Sequence, residues 1–226
     1  MVVRTATAGD PSCLWLIPER AVRALLRTTS NYSDADGGVA QYRGLVEVTF
    51  KRTGARQYST IIADDVHGLR ELDPAPGYHD YVPHDLAHYI VECELGLTNA
   101  VFGRAERGGG MFRPVAEGGR NSREARRQAR KQRKREDRMR DTDHSNDNQM
   151  DLSEQLAGLS LVHWVRRHDP TARPPAWIPA TVELDDDVRA ALDRVGERLD
   201  TVASAWHRLR IGETLTFRWP NSEPIA

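Results

Sequence analysis

His84 and His88, four residues apart with Asp85 between them and Glu92 four residues further on, are the side chains whose types and spacing could do chemistry. On a helix, positions four apart share a face with Cβ atoms about 5 to 6 Å apart, which lets two imidazoles meet one metal ion. Zn2+ is the ion that suits such a pair. His84 falls in the first helical turn, where the helix dipole disfavours imidazolium, so it is expected to be neutral and free to ligate. Asp85 is the candidate base or orienting group for a metal-bound water; being short, it needs the ion close to the helix or a second water as relay. Glu92 lies on the same face, but a rise of about 12 Å from His84 puts it out of reach of a shared ion. It is expected instead to accept the other N–H of His88. A third ligand must come from elsewhere. His79, Glu94, His163, His168 and His207 are candidates, and no spacing singles one out.

The same residues fit two other readings. Asp85 in a first turn is ordinary dipole complementarity, and His88 with Glu92 is an ordinary intrahelical polar pair. They could equally form a functional site without metal. The spacing is that of the H-E-x-x-H zinc sites, with Asp85 in the place of the glutamate. The stretch PHDLAHYIVECELGLTNAVFG, Pro83 to Gly103, resembles a P-H-D-x-x-H-Y/F-x-V-E-x-x-L-G-L pattern of uncharacterised bacterial proteins, a resemblance that implies no activity. The histidine pair is also similar to the zinc-associated motif of the ubiquinone-biosynthesis scaffold family. That likeness implies a glutamate ligand twelve residues after the second histidine, where this chain has Ala100.

Other chemistries find no support. The glycines at 108–110 lead into Met111 and Phe112 rather than the Gly-Lys-Ser/Thr of a phosphate loop, and no serine sits in a G-x-S-x-G elbow. Cys93 lies between Glu92 and Glu94, which disfavour its thiolate. With Cys13 it is one of only 2 cysteines, too few for a disulfide framework or a cysteine-rich zinc module. No run approaches the roughly 18 apolar residues of a membrane span, and the first ten residues lack a signal-peptide core, so the expectation is a cytoplasmic protein. Substrate, whether small molecule or peptide, and oligomeric state are not readable.

The net charge of −1 over 226 residues conceals a segregation. Residues 120–140 carry eleven Lys/Arg and three Asp/Glu, a balance of +8 that leaves −9 on the remainder. Apart from Ala125, Ala129 and Met139 this tract has no apolar side chain, so it cannot bury a broad face. Residues 118–150 therefore read as a disordered or solvent-exposed basic insertion, whose good helix formers favour a transient exposed helix, between an N-terminal part, 1–117, and a C-terminal part, 151–226, of one domain. Through Arg126, Arg127, Arg130, Lys131, Arg133, Lys134 and Arg135 it could contact nucleic acid by neutralising phosphates, which offers a non-catalytic binding or regulatory role as an alternative. Docking of the tract on the acidic remainder is a further possibility.

The elements that must position these groups follow from periodicity. Pro18 opens a short helix carrying Ala21, Val22, Leu25 and Leu26. From Tyr42 to Ala63, alternation of Val46, Val48 and Phe50 with Glu47 and Thr49 predicts a hairpin turning at Gly54. Pro83 to Leu95 should be the motif helix, stopped by Gly96, with a second helix from about Asn99 capped by Thr98. Asp151 with Glu154 reads as a capping arrangement opening a helix to about Arg167. Val188, Leu192, Val195, Leu199, Val202, Trp206 and Leu209, alternately four and three apart, mark the most regular helix. Leu215, Phe217 and Trp219 make a terminal strand. The expectation is an α+β fold, a small antiparallel sheet packed against several helices, in which the terminal strand joins the hairpin.

Overall fold

The computed structural model describes residues 45–77, 81–115, 122–142, 149–173 and 186–225. The Pro18 helix and His79 lie outside these residues. In chain order the elements are β1 (Val46–Gly54), β2 (Gln57–Ala63), β3 (Arg70–Leu72), α1 (His84–Glu94), α2 (Val101–Glu106), β4 (Arg113–Pro114), α3 (Arg123–Thr142), α4 (Gln149–His168), α5 (Asp186–Arg208) and β5 (Thr214–Trp219). The strands form one antiparallel sheet in the order β4-β3-β2-β1-β5. The fold is α+β, as the period-two and helical patterns predict.

Pairing follows the apolar alternation. Val48 lies opposite Ile62 on one side and Phe217 on the other, and Phe50 opposite Thr60 and Leu215. One sheet face therefore gathers the buried side chains of β1, β2 and β5, while Glu47 is exposed on the other. On the buried face Phe50 meets Tyr89 of α1, Phe102 of α2 and Phe217 edge-on, with ring centroids 5.9, 6.2 and 5.9 Å away. Such contacts contribute about 0.5 to 1.5 kcal/mol each beyond their area. Further along, Tyr58 meets Trp206 of α5 at 6.4 Å. The Val188-to-Trp206 stripe is buried, and Leu209 packs against the same core, so the heptad-like pattern is used within the chain.

β5 closes the sheet against β1, which joins elements from either side of the basic tract. Its outer edge is covered in turn, since Ile225 donates its N–H to Thr216 O at 2.7 Å. At the opposite edge Pro114 of β4 has no N–H to offer.

Within the basic tract, Arg123–Thr142 form a 20-residue helix, α3, the exposed-helix form of the expected insertion. Its cations are mostly exposed, but one stripe docks. Ala125 and Gln132 are buried, the Gln132 amide donates to Gly110 O at 2.8 Å and to Phe112 O, and Glu136 accepts from Arg104 Nη1 and Gly110 N, both at 2.7 Å. Polar side chains here do what apolar ones do elsewhere, satisfying backbone groups of the 108–112 turn that would otherwise be buried without partners. Replacing Gln132 by Ala orphans these carbonyls. The expected loss is about 1 to 3 kcal/mol in chemical denaturation, with faster tryptic cleavage inside 123–142.

Candidate metal centre

α1 begins at its first motif residue, with Pro83 as the N-terminal flank and Gly96, at φ 64°, just past its end. The helix is pinned at both ends by buried carboxylates. At the start, Asp85 Oδ2 accepts a 2.9 Å hydrogen bond from Thr60 Oγ1 on β2, and the Asp85 N–H donates to Tyr58 Oη at 3.1 Å. Tyr58 in turn donates a hydrogen bond from its hydroxyl to Pro76 O at 2.9 Å. Burial, with the Asp85 charge beside it, pushes the Tyr58 phenol far above its usual range, so this hydroxyl stays a donor.

At the other end, Glu92 is fully buried and accepts N–H groups from Val101 at 3.0 Å and Phe102 at 2.8 Å. It thereby caps α2, a task the sequence assigns to Thr98. Thr98 instead passes so close to Gly103 that a Cβ there would lie 2.1 Å from its carbonyl oxygen. Burial pushes the Glu92 carboxyl up to about 8, against the pull of its backbone N–H partners and of Ser153.

The expected direct bond from Glu92 to His88 is not made. Ser153 of α4 stands between them, its hydroxyl 2.9 Å from Glu92 Oε1 and 2.8 Å from His88 Nδ1. Ser153 commits its only proton to Glu92 Oε1 and so can only accept at His88 Nδ1, which places the ring proton on Nδ1 and the lone pair on Nε2. His88 is 2% exposed, and that Nε2 is buried with no hydrogen-bond partner among the described residues.

Three groups converge at this nitrogen. Glu154 Oε2 lies 3.4 Å from His88 Nε2 and 3.8 Å from His84 Nε2, and the two imidazole centroids are 4.5 Å apart. One ligand atom from each of His84, His88 and Glu154 falls within 4.8 Å of the others, a cluster that could hold a metal ion. Asp85 Oδ1 sits 3.8 Å from His84 Nδ1, on the side away from that cluster. Behind His84, Gly77 adopts φ 73°, and a Cβ there would stand 3.1 Å from His84 Cβ. A side chain at 77 would push the ring.

The electrostatics differ from the expectation for His84. Asp85 beside the ring raises its pKa, burial opposes this, and Glu154 adds to the rise, so two carboxylates outweigh the helix dipole that predicts a neutral ring. His88 holds the Glu154 carboxyl below its usual range. In the metal-free protein a proton on His84 faces the Glu154 carboxylate, and a bound cation would replace that proton.

The anticipated third ligands are elsewhere. His163 Nε2 pairs with Asp193 Oδ1 at 2.8 Å and His168 Nε2 with Asp200 Oδ1 at 2.7 Å, both bridging α4 and α5. Glu94 binds Arg198 Nε at 3.2 Å and Ser222 Oγ at 2.5 Å. His207 is exposed at the end of α5. Glu154 was legible only as a capping acid. α4 is already helical at Gln149, which places Glu154 beyond its first turn, facing α1. A signal existed in Ser153 and Ser160, two polar residues seven apart on the buried side of α4, since such positions mark a helix face that meets polar groups. Cys93 is buried enough for its thiol to be pushed well above its usual range, as expected of an inert cysteine.

The chain matches no protein-family model, no curated protein and no solved structure. Among the described residues, no helix is long and apolar enough to cross a membrane.

Because a proton on His84 competes with a cation, and its pKa is raised above the ordinary value of about 6.5, affinity is expected to be full above that raised pKa. It should fall about tenfold per pH unit below it, as read by chelator competition across a pH series. Replacing Ser153 by Ala leaves the His88 ring unoriented and Glu92 with one donor fewer. Metal affinity is expected to drop about 10- to 100-fold, while the folded far-ultraviolet circular dichroism spectrum persists.

Proposed function

We propose that this chain is a metal-binding protein in which His84 Nε2, His88 Nε2 and a Glu154 oxygen hold Zn2+ or a similar divalent ion, and that the site serves metal-dependent hydrolysis. The observation that carries the reading is the buried His88 Nε2, a nitrogen without a hydrogen-bond partner aimed at a carboxylate and a second imidazole. That nitrogen has a carboxylate oxygen 3.4 Å away but no well-formed hydrogen bond, and a cation between the two would satisfy both better than they satisfy each other.

The donor set supports the finer reading. Two imidazoles and one carboxylate leave a tetrahedral ion one position for water, the pattern of catalytic rather than closed structural zinc sites. Side-chain exposures of 41% for His84 and 57% for Glu154, against 3% for His88, open the site on one side only. A small molecule or peptide would approach across His84 and Glu154. Zinc supplies a water acidified to a pKa of about 7 and a Lewis acid for a carbonyl or phosphoryl oxygen. We assign Asp85 the positioning of His84, because its carboxylate is held by Thr60 and lies on the Nδ1 side of that ring.

The purified protein is expected to contain close to one zinc or similar ion per chain by elemental analysis. The exchanges His88→Ala and Glu154→Ala should each reduce that content and abolish zinc-dependent turnover of p-nitrophenyl acetate. A chain that binds no divalent ion on dialysis against zinc, manganese or nickel would refute the site. Loading without turnover of carboxylic or phosphoric ester probes would leave the metal and remove the hydrolase.

A further inference from the structure

The helix α3 has a second face that the metal site does not use. Of the twelve residues from Arg123 to Arg140 that are exposed, nine are Lys or Arg and two are acidic. The docked stripe of Ala125, Gln132, Glu136 and Met139 occupies one side of the helix; at 100° per residue Arg123, Arg127, Arg130, Lys134 and Arg138 fall on the opposite arc, with Asp137 among them, and Arg126, Lys131 and Arg133 flank it. Among the described residues, Arg127 alone of the nine exposed cations has a carboxylate in ion-pair range, Glu124 at 3.4 Å. The cations are therefore held outward on a helix whose back is bonded to the 108–112 turn and to Arg104. The rest of the chain carries −9, so a polyanion is attracted by this face and repelled by the remainder.

We propose that the outer face of α3 binds double-stranded DNA through its phosphodiester backbone, without sequence preference. The cations extend over about 25 Å of helix, enough to meet several successive phosphates. The B-form major groove, about 12 Å wide, admits one α-helix, so a helix anchored along its back can present its cationic arc to phosphates on both groove walls. The exposed face carries no aromatic ring on which unpaired bases would stack, which favours a duplex over a single strand. It also has no large apolar side chain to enter a lipid surface, which disfavours a membrane. This face is independent of the His84–His88–Glu154 cluster, so either assignment can fail alone.

The test is fluorescence anisotropy of the full chain with a labelled duplex of arbitrary sequence. With about four phosphates neutralised, affinity should fall about a hundredfold between about 50 and 200 mM salt. The quadruple variant R126Q/R130Q/R133Q/K134Q should bind at least about tenfold more weakly at the lower salt and lose most of the salt slope. Its melting temperature and zinc stoichiometry should match the unmodified chain, since none of these four side chains makes a described intramolecular contact or touches the metal cluster. Absence of binding at low salt, an undiminished slope in the variant, or tighter binding to a single strand or to phosphatidylserine vesicles than to the duplex overturns the proposal.

Discussion

A single buried carboxylate, Glu92, sets the constraint on which the centre of this molecule depends. It sits on α1 with no exposed surface, and it is held by N–H groups at the start of α2 and by the Ser153 hydroxyl of α4. Desolvating a carboxylate is costly unless its lone pairs are filled, so three helices must meet at one point in one register. α1 cannot rotate or slide by a residue without stripping those bonds. The position of His88 follows, because the serine that satisfies Glu92 is also the one that takes the His88 Nδ1.

Asp85 imposes the matching constraint at the other end of α1. Its bonds to Thr60 and Tyr58 attach the helix to β2, and the sheet face that supplies them is the one that buries Phe50, Ile62 and Phe217. The floor of the candidate centre is thus rigid on the side of α1, while its third ligand comes from α4 and is half exposed. Such an arrangement couples a fixed, desolvated nitrogen to a solvent-facing carboxylate. It is also why the pairing of β5 with β1 matters: β5 completes the sheet against which α1 packs.

Much of the architecture was legible in the residues. Alternation at Val46, Val48 and Phe50 announced β1 and its buried face. The Val188-to-Trp206 stripe announced α5, and Pro83 with Gly96 bounded α1. Physical reasons explain what was not. The docking of α3 relies on Gln132 and Glu136, polar residues whose partners are backbone groups of a turn, and no hydropathy pattern marks such a contact. Glu154 was invisible as a ligand because an acid early in a helix is equally a favourable charge for the dipole. His163 and His168 looked like candidates because histidine type is visible in sequence, whereas the carboxylates that occupy them, Asp193 and Asp200, lie about thirty residues away on another helix.

By itself, then, the sequence determined the local half of the site. Four-residue spacing puts His84 and His88 on one face of α1 because helical geometry depends only on the backbone, and charge composition sets the cations of 120–140 apart from an acidic remainder. Only the tertiary structure decided which nitrogen of His88 is free, which carboxylate stands opposite it, and which side of α3 faces outward. Each of those depends on groups far apart in the chain being brought within a few ångströms by packing, and buried hydrogen bonds accept only the partner that packing supplies.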